Sequence, residues 1–107
     1  MYAYDIVESE GLVEVAAIGE YDYSWSELKM FYQPKARRFF WLEDSGCSCC
    51  SWGDSIDGFA DFSDGDKAAA TRAIETFYAT IEGIPYASTA EECAAAKAAV
   101  RNFEAAE

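Results

Sequence analysis

The clearest structural signal in the sequence is the run Leu28-Lys29-Met30-Phe31-Tyr32-Gln33-Pro34-Lys35-Ala36-Arg37-Arg38-Phe39-Phe40-Trp41-Leu42. Two apolar and aromatic segments flank a polar centre. That centre holds Pro34, which suits the first central position of a turn and is not expected in a paired central strand. The run therefore predicts a β-hairpin whose second strand ends at 43–46. Because side chains alternate between the faces of a strand, we expect Leu28, Met30 and Tyr32 on one face, and Phe40 and Leu42 on one face of the returning strand.

Two further segments before this hairpin have β character. Residues 12–18 lie between Gly11 and Gly19 and are rich in β-branched residues, which predicts a strand. Residues 21–26 alternate aromatic and polar side chains, as a half-buried strand or its extended entry does. Together with the hairpin, these segments predict a three- or four-stranded antiparallel meander.

The chain becomes alanine-rich and helical in its periodicity after residue 60. Ser63 is the predicted N-cap of a first helix, which Gly83 and Pro85 end. A capping box at 88–91 opens a second helix that reaches about Phe103. The predicted apolar stripes are Ala70, Ile74, Phe77, Tyr78 and Ile81 on the first helix, and Cys93, Ala96, Val100 and Phe103 on the second.

These elements predict an α+β fold in which two C-terminal helices pack on one face of the meander, because strands precede helices along the chain. A length of 107 residues is typical of one domain, so residues 1–107 are taken as a single domain with a β-rich half (1–60) and a helical half (61–107). A content of 51% hydrophobic and 16% aromatic residues excludes intrinsic disorder.

The sequence contains no histidine, which excludes Ser-His-Asp and Cys-His nucleophile systems and imidazole metal sites. No glycine-rich phosphate loop is present either. We therefore predict that the protein is not an enzyme.

The charge balance argues against two classes of partner. With 20 acidic and 8 basic residues, the formal net charge is −12, so neither nucleic acid nor an anionic membrane is an expected ligand. The first residues, 1–5, have no basic start and no apolar stretch, and we expect a cytoplasmic protein without a secretory signal.

Three cysteines, Cys47, Cys49 and Cys50, lie within four residues, and a fourth, Cys93, lies on the second helix. The favoured interpretation is that the clustered thiols pack as small apolar side chains beneath the helices, and that Cys93 packs in the core. A zinc site is the second interpretation, with Cys47, Cys49 and Cys50 as ligands and either Cys93 or a carboxylate as the fourth, although the separations differ from those of Cys-x-x-Cys knuckles. A disulfide between Cys93 and Cys47 or Cys50 is the third.

An acidic segment follows the cysteines. It carries five aspartates and no basic residue between positions 54 and 66, but it lacks the ligand spacing of a calcium loop, so a solvated loop is the better interpretation. The candidate partner-binding residues are Asp54, Asp57, Asp61, Asp64, Asp66 and the neighbouring Trp52.

The segment from Arg38 to Leu42 followed by Asp44-Ser45-Gly46-Cys47-Ser48-Cys49 resembles a family of small uncharacterised proteins of actinobacterial phages. The resemblance covers about residues 28–61 and implies a phage accessory protein in the cytoplasm of the host.

The predicted function is a non-enzymatic module that binds a host protein and occludes a basic surface on it. The alternative is a small metal-binding structural protein with a zinc site.

A homodimer is also predicted, because the β-rich half carries more aromatic surface than two short helices cover. The aromatic residues concerned are Tyr21, Tyr23, Trp25, Phe31, Phe39, Trp41 and Trp52.

Overall fold

The structure, a computed structural model, describes residues 2–104 and contains one antiparallel sheet with helices on both faces. The strand order β1-β2-β3-β4 follows the chain, so the predicted α+β meander followed by two C-terminal helices is confirmed. The elements are α1 (Ala3–Ser9), β1 (Val13–Tyr21), β2 (Ser24–Gln33), β3 (Arg38–Cys47), a 3-10 turn (Phe59–Asp61), β4 (Ser63–Gly65), α2 (Lys67–Ile81) and α3 (Ala90–Arg101).

The predicted hairpin is the centre of the sheet. Strands β2 and β3 pair from Ser24 with Cys47 to Gln33 with Arg38, and the connection begins at Pro34. Strand β3 was expected to end within residues 43–46. It continues to Cys47, one residue beyond them. This extension brings the first cysteine into the sheet.

Residues 21–26 were predicted as a half-buried strand or its extended entry, which holds for 24–26 at the start of β2 but not for the bend at 22–23. Tyr21 ends β1 and pairs with Trp25 of β2, so the segment contains the turn between the two strands. The carboxylate of Asp22 accepts a hydrogen bond from the Tyr23 amide at 2.8 Å within that turn. Aromatic and polar residues alternate on both sides of the turn, which is why periodicity alone did not reveal it.

One hydrophobic core lies between the sheet and helices α2 and α3. The predicted stripes are confirmed, since Ile74 and Val100 are fully buried and Cys93 is 5% exposed. The sheet contributes the predicted face of β2. That face consists of Leu28, Met30 and Tyr32, and the same core also contains Ile18 of β1 and Phe39 of β3.

The helix starts lie slightly later than predicted. Ser63 belongs to β4, and the Asp66 carboxylate caps α2 by accepting a hydrogen bond from the Ala69 amide at 2.9 Å. The capping box of α3 joins Thr89 and Glu92. The observed N-caps, Asp66 and Thr89, follow the predicted ones, Ser63 and Ser88, by three residues and by one residue. Ser, Thr and Asp are all favourable N-caps, so the local sequence did not distinguish them.

A second core covers the opposite face of the sheet, which the sequence analysis left bare. It holds Phe31 and Leu42, whose side chains point away from the helix-side core, with Ile6 of α1 and Trp52 of the loop after β3. The Trp52 indole N–H donates a hydrogen bond to the Leu42 carbonyl at 3.1 Å. The β-rich half therefore contributes a helix and a loop that bury its own aromatic residues.

Most of the aromatic surface behind the homodimer prediction is covered within one chain. Phe31, Phe39 and Trp52 are buried. Trp25 and Trp41 are half-buried, and only Tyr21 and Tyr23 of the seven residues are exposed.

Candidate metal centre

Three thiols lie together where β3 ends. Cys47 is the last residue of the strand, and a turn closed by a hydrogen bond from the Cys50 amide to the Cys47 carbonyl at 3.0 Å follows it. The sulfurs of Cys47, Cys49 and Cys50 all lie within 4.8 Å of one another, and all three residues are exposed. We call these residues the three-thiol cluster.

The side chain of Trp25 holds the backbone of this turn. Its indole N–H points at two carbonyls, 2.8 Å from the Cys47 oxygen and 3.0 Å from the Cys50 oxygen. Trp25 lies opposite Gly46 in the sheet, and a Cβ at Gly46 would lie 3.0 Å from the ring and 3.3 Å from Cys50 Cβ. A glycine at position 46 therefore lets the indole lie against the turn that presents the thiols.

Two aspartates fix the loop that follows the cluster. The carboxylate of Asp44 accepts hydrogen bonds from the amides of Ser45 and Gly53, both at 2.9 Å. The carboxylate of Asp54 accepts one from the Ser51 amide at 2.8 Å. Asp44 thus binds amides before and after the thiols, Asp54 binds one after them, and the loop returns to the second core at Trp52.

A hydrogen bond between the thiols of Cys47 and Cys49 moves their pKa values in opposite directions. The hydrogen bond from the Cys49 thiol lowers the pKa of Cys47, because it stabilises the Cys47 thiolate. The same bond, a second one to Cys50 and the negative charges of both neighbours raise the pKa of Cys49 to about 11. An incoming metal ion therefore has to displace a firmly held proton, and its binding releases protons.

A metal ion also requires the sulfurs to move apart. Cys47 Sγ lies 2.8 Å from Cys49 Sγ, and Cys49 Sγ lies 3.6 Å from Cys50 Sγ. Metal–sulfur bonds of about 2.3 Å place two thiolates of one ion about 4 Å apart. Because the side chains are exposed, rotation of the cysteines opens the cluster without a change in the sheet.

The predictions for the four cysteines have different outcomes. Packing of the clustered thiols beneath the helices is wrong, because Cys47 at the end of β3 and Cys49 and Cys50 in the turn after it are all exposed. Core packing of Cys93 is confirmed, and burial raises the pKa of its thiol. Cys93 belongs to the helix-side core and does not join the cluster, so the structure assembles neither the four-cysteine site nor a disulfide with Cys93.

The acidic segment does not converge on one point. Among the described residues, its five aspartates form no group of the kind that the cysteines form. Asp61 accepts a hydrogen bond from the Asp57 amide, Asp64 pairs with Arg38 at 2.7 Å, and Asp66 caps α2. Trp52 is 5% exposed, so its predicted role as a surface contact is wrong, because its ring fills the second core.

A different surface combines exposed aromatic rings with carboxylates. Tyr21 and Tyr86, which are 52% and 74% exposed, line one groove, and Tyr23, which is 74% exposed, lies two residues along the chain from Tyr21; we call these three residues the tyrosine edge. Tyr86 has a left-handed φ of 65°, and its carbonyl accepts a hydrogen bond from the Tyr21 amide at 3.1 Å. The Tyr21 hydroxyl donates to Glu27 at 2.8 Å, and Glu92 lines the same 320 Å³ groove as Tyr21 and Tyr86.

Two residues that matter at these surfaces, Trp25 and Tyr86, were not predicted as site residues from the sequence. The hydrogen bonds of Trp25 span 22 and 25 residues, so no local pattern reveals them. Tyr86 follows Pro85, a residue that marked only the end of a helix. Its position beside Tyr21 arises from pairing between Glu20 and Ala87, which is a long-range contact.

Residues 1–106 match the family described as a domain of unknown function, DUF7574. Because the match covers nearly the whole sequence, the chain belongs to this family. No curated protein matches the chain, and no solved structure does. Each helix within residues 2–104 is too short or too polar to cross a lipid bilayer.

Proposed function

We propose that this member of the DUF7574 family is a non-enzymatic module that binds a soft metal ion through the three-thiol cluster. The observation that carries the proposal is the convergence of three exposed sulfurs within 4.8 Å on a turn that Trp25 holds. Thiolates favour zinc and monovalent copper among the biological metals. The cytoplasm of a bacterial host is the expected compartment, because thiols stay reduced there.

The metal is proposed as cargo or as a switch, and not as support for the fold. The cluster is fully exposed, whereas two hydrophobic cores on opposite faces of the sheet hold the chain together. A structural zinc site contributes folding free energy outright. Removal of the metal with a chelator is therefore expected to leave the melting temperature unchanged, which differs from the structural zinc site that the sequence suggested.

A metal-retention experiment tests this function. The wild-type chain, the triple variant Cys47→Ser/Cys49→Ser/Cys50→Ser and the control Cys93→Ala are loaded with zinc or with Cu(I) under reducing, oxygen-free conditions, desalted and analysed for metal. We expect about one equivalent on the wild type and on the control, and none on the triple variant. Retention by the triple variant, or no retention by the wild type, would contradict the proposal.

A second proposed function is binding of a basic surface of another protein through the tyrosine edge. Tyrosine faces attract Arg and Lys side chains, and Glu27 and Glu92 supply carboxylates beside them. The net charge of −12 favours such a partner over long range. The resemblance to phage proteins makes a host protein the expected partner, and occlusion of its basic surface the expected effect.

Tyrosine variants separate this proposal from general electrostatic attraction, because they leave the charge unchanged. Capture of basic proteins from an actinobacterial lysate is compared for the wild type, Tyr23→Ala/Tyr86→Ala and the control Tyr2→Ala, whose ring is also exposed. We expect loss of a specific partner only with the double variant. Equal capture by all three chains at moderate salt would refute the role of the edge.

The homodimer stays a prediction. The salt dependence of association distinguishes it from binding of a basic partner. Screening weakens attraction between opposite charges, so binding of a basic partner should fall as salt rises from about 20 to 300 mM. Two copies of a chain of charge −12 repel each other, so their association should tighten over the same range. A single monomeric species in sedimentation at both salts would remove the homodimer.

A further inference from the structure

We propose that the metal bound by the three-thiol cluster is monovalent copper, held by three thiolates with no fourth ligand from the chain. The inference rests on the proposed function as a metal-binding module and names its ligand. It follows from the number of donor atoms that the fold brings together, from their softness and from their exposure.

The described part of the chain brings together three possible metal ligands, the sulfurs of Cys47, Cys49 and Cys50. Among residues 2–104, no histidine, carboxylate or fourth cysteine joins the group of sulfurs that lie within 4.8 Å of one another. The nearest carboxylates in the sequence, Asp44 and Asp54, are bonded to the amides of Ser45, Gly53 and Ser51. Cys93 is buried in the helix-side core.

This donor set suits copper better than zinc. Structural zinc sites almost always supply four protein ligands, so the cluster would leave zinc one protein ligand short of such a site, with water in the fourth position. Cu(I) is a soft ion of single charge that two or three thiolates satisfy, and soft sulfur ligands select it. No electron transfer is involved, because the copper enters and leaves as Cu(I) while the thiols lose and regain their protons.

Exposure of the cluster gives the bound ion an open side. All three cysteines are exposed, Cys47 at the end of β3 and the other two in the turn that follows it. An external thiolate can therefore reach the copper and take it by ligand exchange. The site is built for an ion that is passed on, which a closed structural site does not allow.

Competition between the two metals tests the inference. The wild-type chain is titrated without oxygen with Cu(I) against a chromophoric Cu(I) chelator, and separately the zinc-loaded chain receives one equivalent of Cu(I). We expect Cu(I) to displace the zinc, with an affinity more than about tenfold higher. Binding of zinc that Cu(I) does not displace would overturn the inference and leave the proposed function standing, whereas binding of neither metal would remove both.

Single cysteine variants show how many thiolates bind the copper. Cys47→Ser, Cys49→Ser and Cys50→Ser are each expected to weaken Cu(I) binding by at least about tenfold, because each removes one thiolate of three. Cys93→Ala is expected to bind as the wild type does. A cluster variant with unchanged affinity would show two-coordinate copper, and a loss with Cys93→Ala would show a fourth sulfur. Either result would overturn the three-thiolate site.

Discussion

The substitution Trp25→Phe tests whether the indole prepares the three-thiol cluster for its metal. Phenylalanine keeps an aromatic ring against Gly46 but removes the N–H that lies 2.8 Å from the Cys47 carbonyl and 3.0 Å from the Cys50 carbonyl. A hydrogen bond of this kind contributes about 1 kcal/mol net. Without it the turn has to be ordered when the metal binds, so we expect the metal affinity to fall about fivefold, since 1.4 kcal/mol is tenfold.

The assay is a competition titration against a metal chelator, with the melting temperature measured alongside. Trp41→Phe is the matched control, because Trp41 is also half-buried in the sheet and lies near a glycine, Gly65, at a distance from the thiols. Its affinity for metal is expected to equal that of the wild type. The reasoning is refuted if Trp25→Phe binds metal as tightly as the wild type, or if both substitutions weaken binding equally.

Three further predictions concern the accessibility of the thiols, the raised pKa of Cys49 and the packing of α1 on the sheet. A thiol reagent should modify three cysteines of the native chain rapidly and Cys93 only after unfolding, and fast reaction of all four would contradict the placement of Cys93. Metal affinity should rise with pH from 6 to about 8, because the pKa of Cys49, raised to about 11, keeps a proton on the site that the metal displaces; a flat profile would mean that metal binding displaces no thiol proton. Ile6→Ala should lower the free energy of unfolding by about 2–5 kcal/mol, measured in urea, because Ile6 is 6% exposed in the second core. A loss below about 0.5 kcal/mol, typical of a surface position, would show that α1 does not pack on the sheet.

The sheet and the two long helices could be predicted because their signals are local and repeated. Pro34 separates two segments of alternating side chains, and Ile74 and Phe77 belong to a stripe that continues for about three turns. Helix α1 could not be predicted in this way. It has seven residues, of which only Ala3 and Ile6 are buried, so it forms no pattern and depends on its contact with the sheet.

The candidate site was predictable in its residue types and not in its surroundings. Free cysteines are among the most often buried residues, which favoured packing for all four. The outcome depends on where β3 ends, since Cys47 is exposed at the end of that strand while Cys93 lies on the buried face of α3. Trp52 shows the opposite case. Its glycine, serine and aspartate neighbours suggested the surface, but its indole reaches the Leu42 carbonyl and Phe31 in the second core.

X-ray absorption at the metal edge of the loaded wild-type chain tests the central claim most directly, because it identifies and counts the atoms bound to the metal. The three-thiol cluster predicts three sulfur neighbours at about 2.3 Å. A shell of only oxygen or nitrogen atoms would show that the cysteines do not bind the metal. Four sulfur neighbours would show that Cys93 leaves the core to join them, which this fold contradicts.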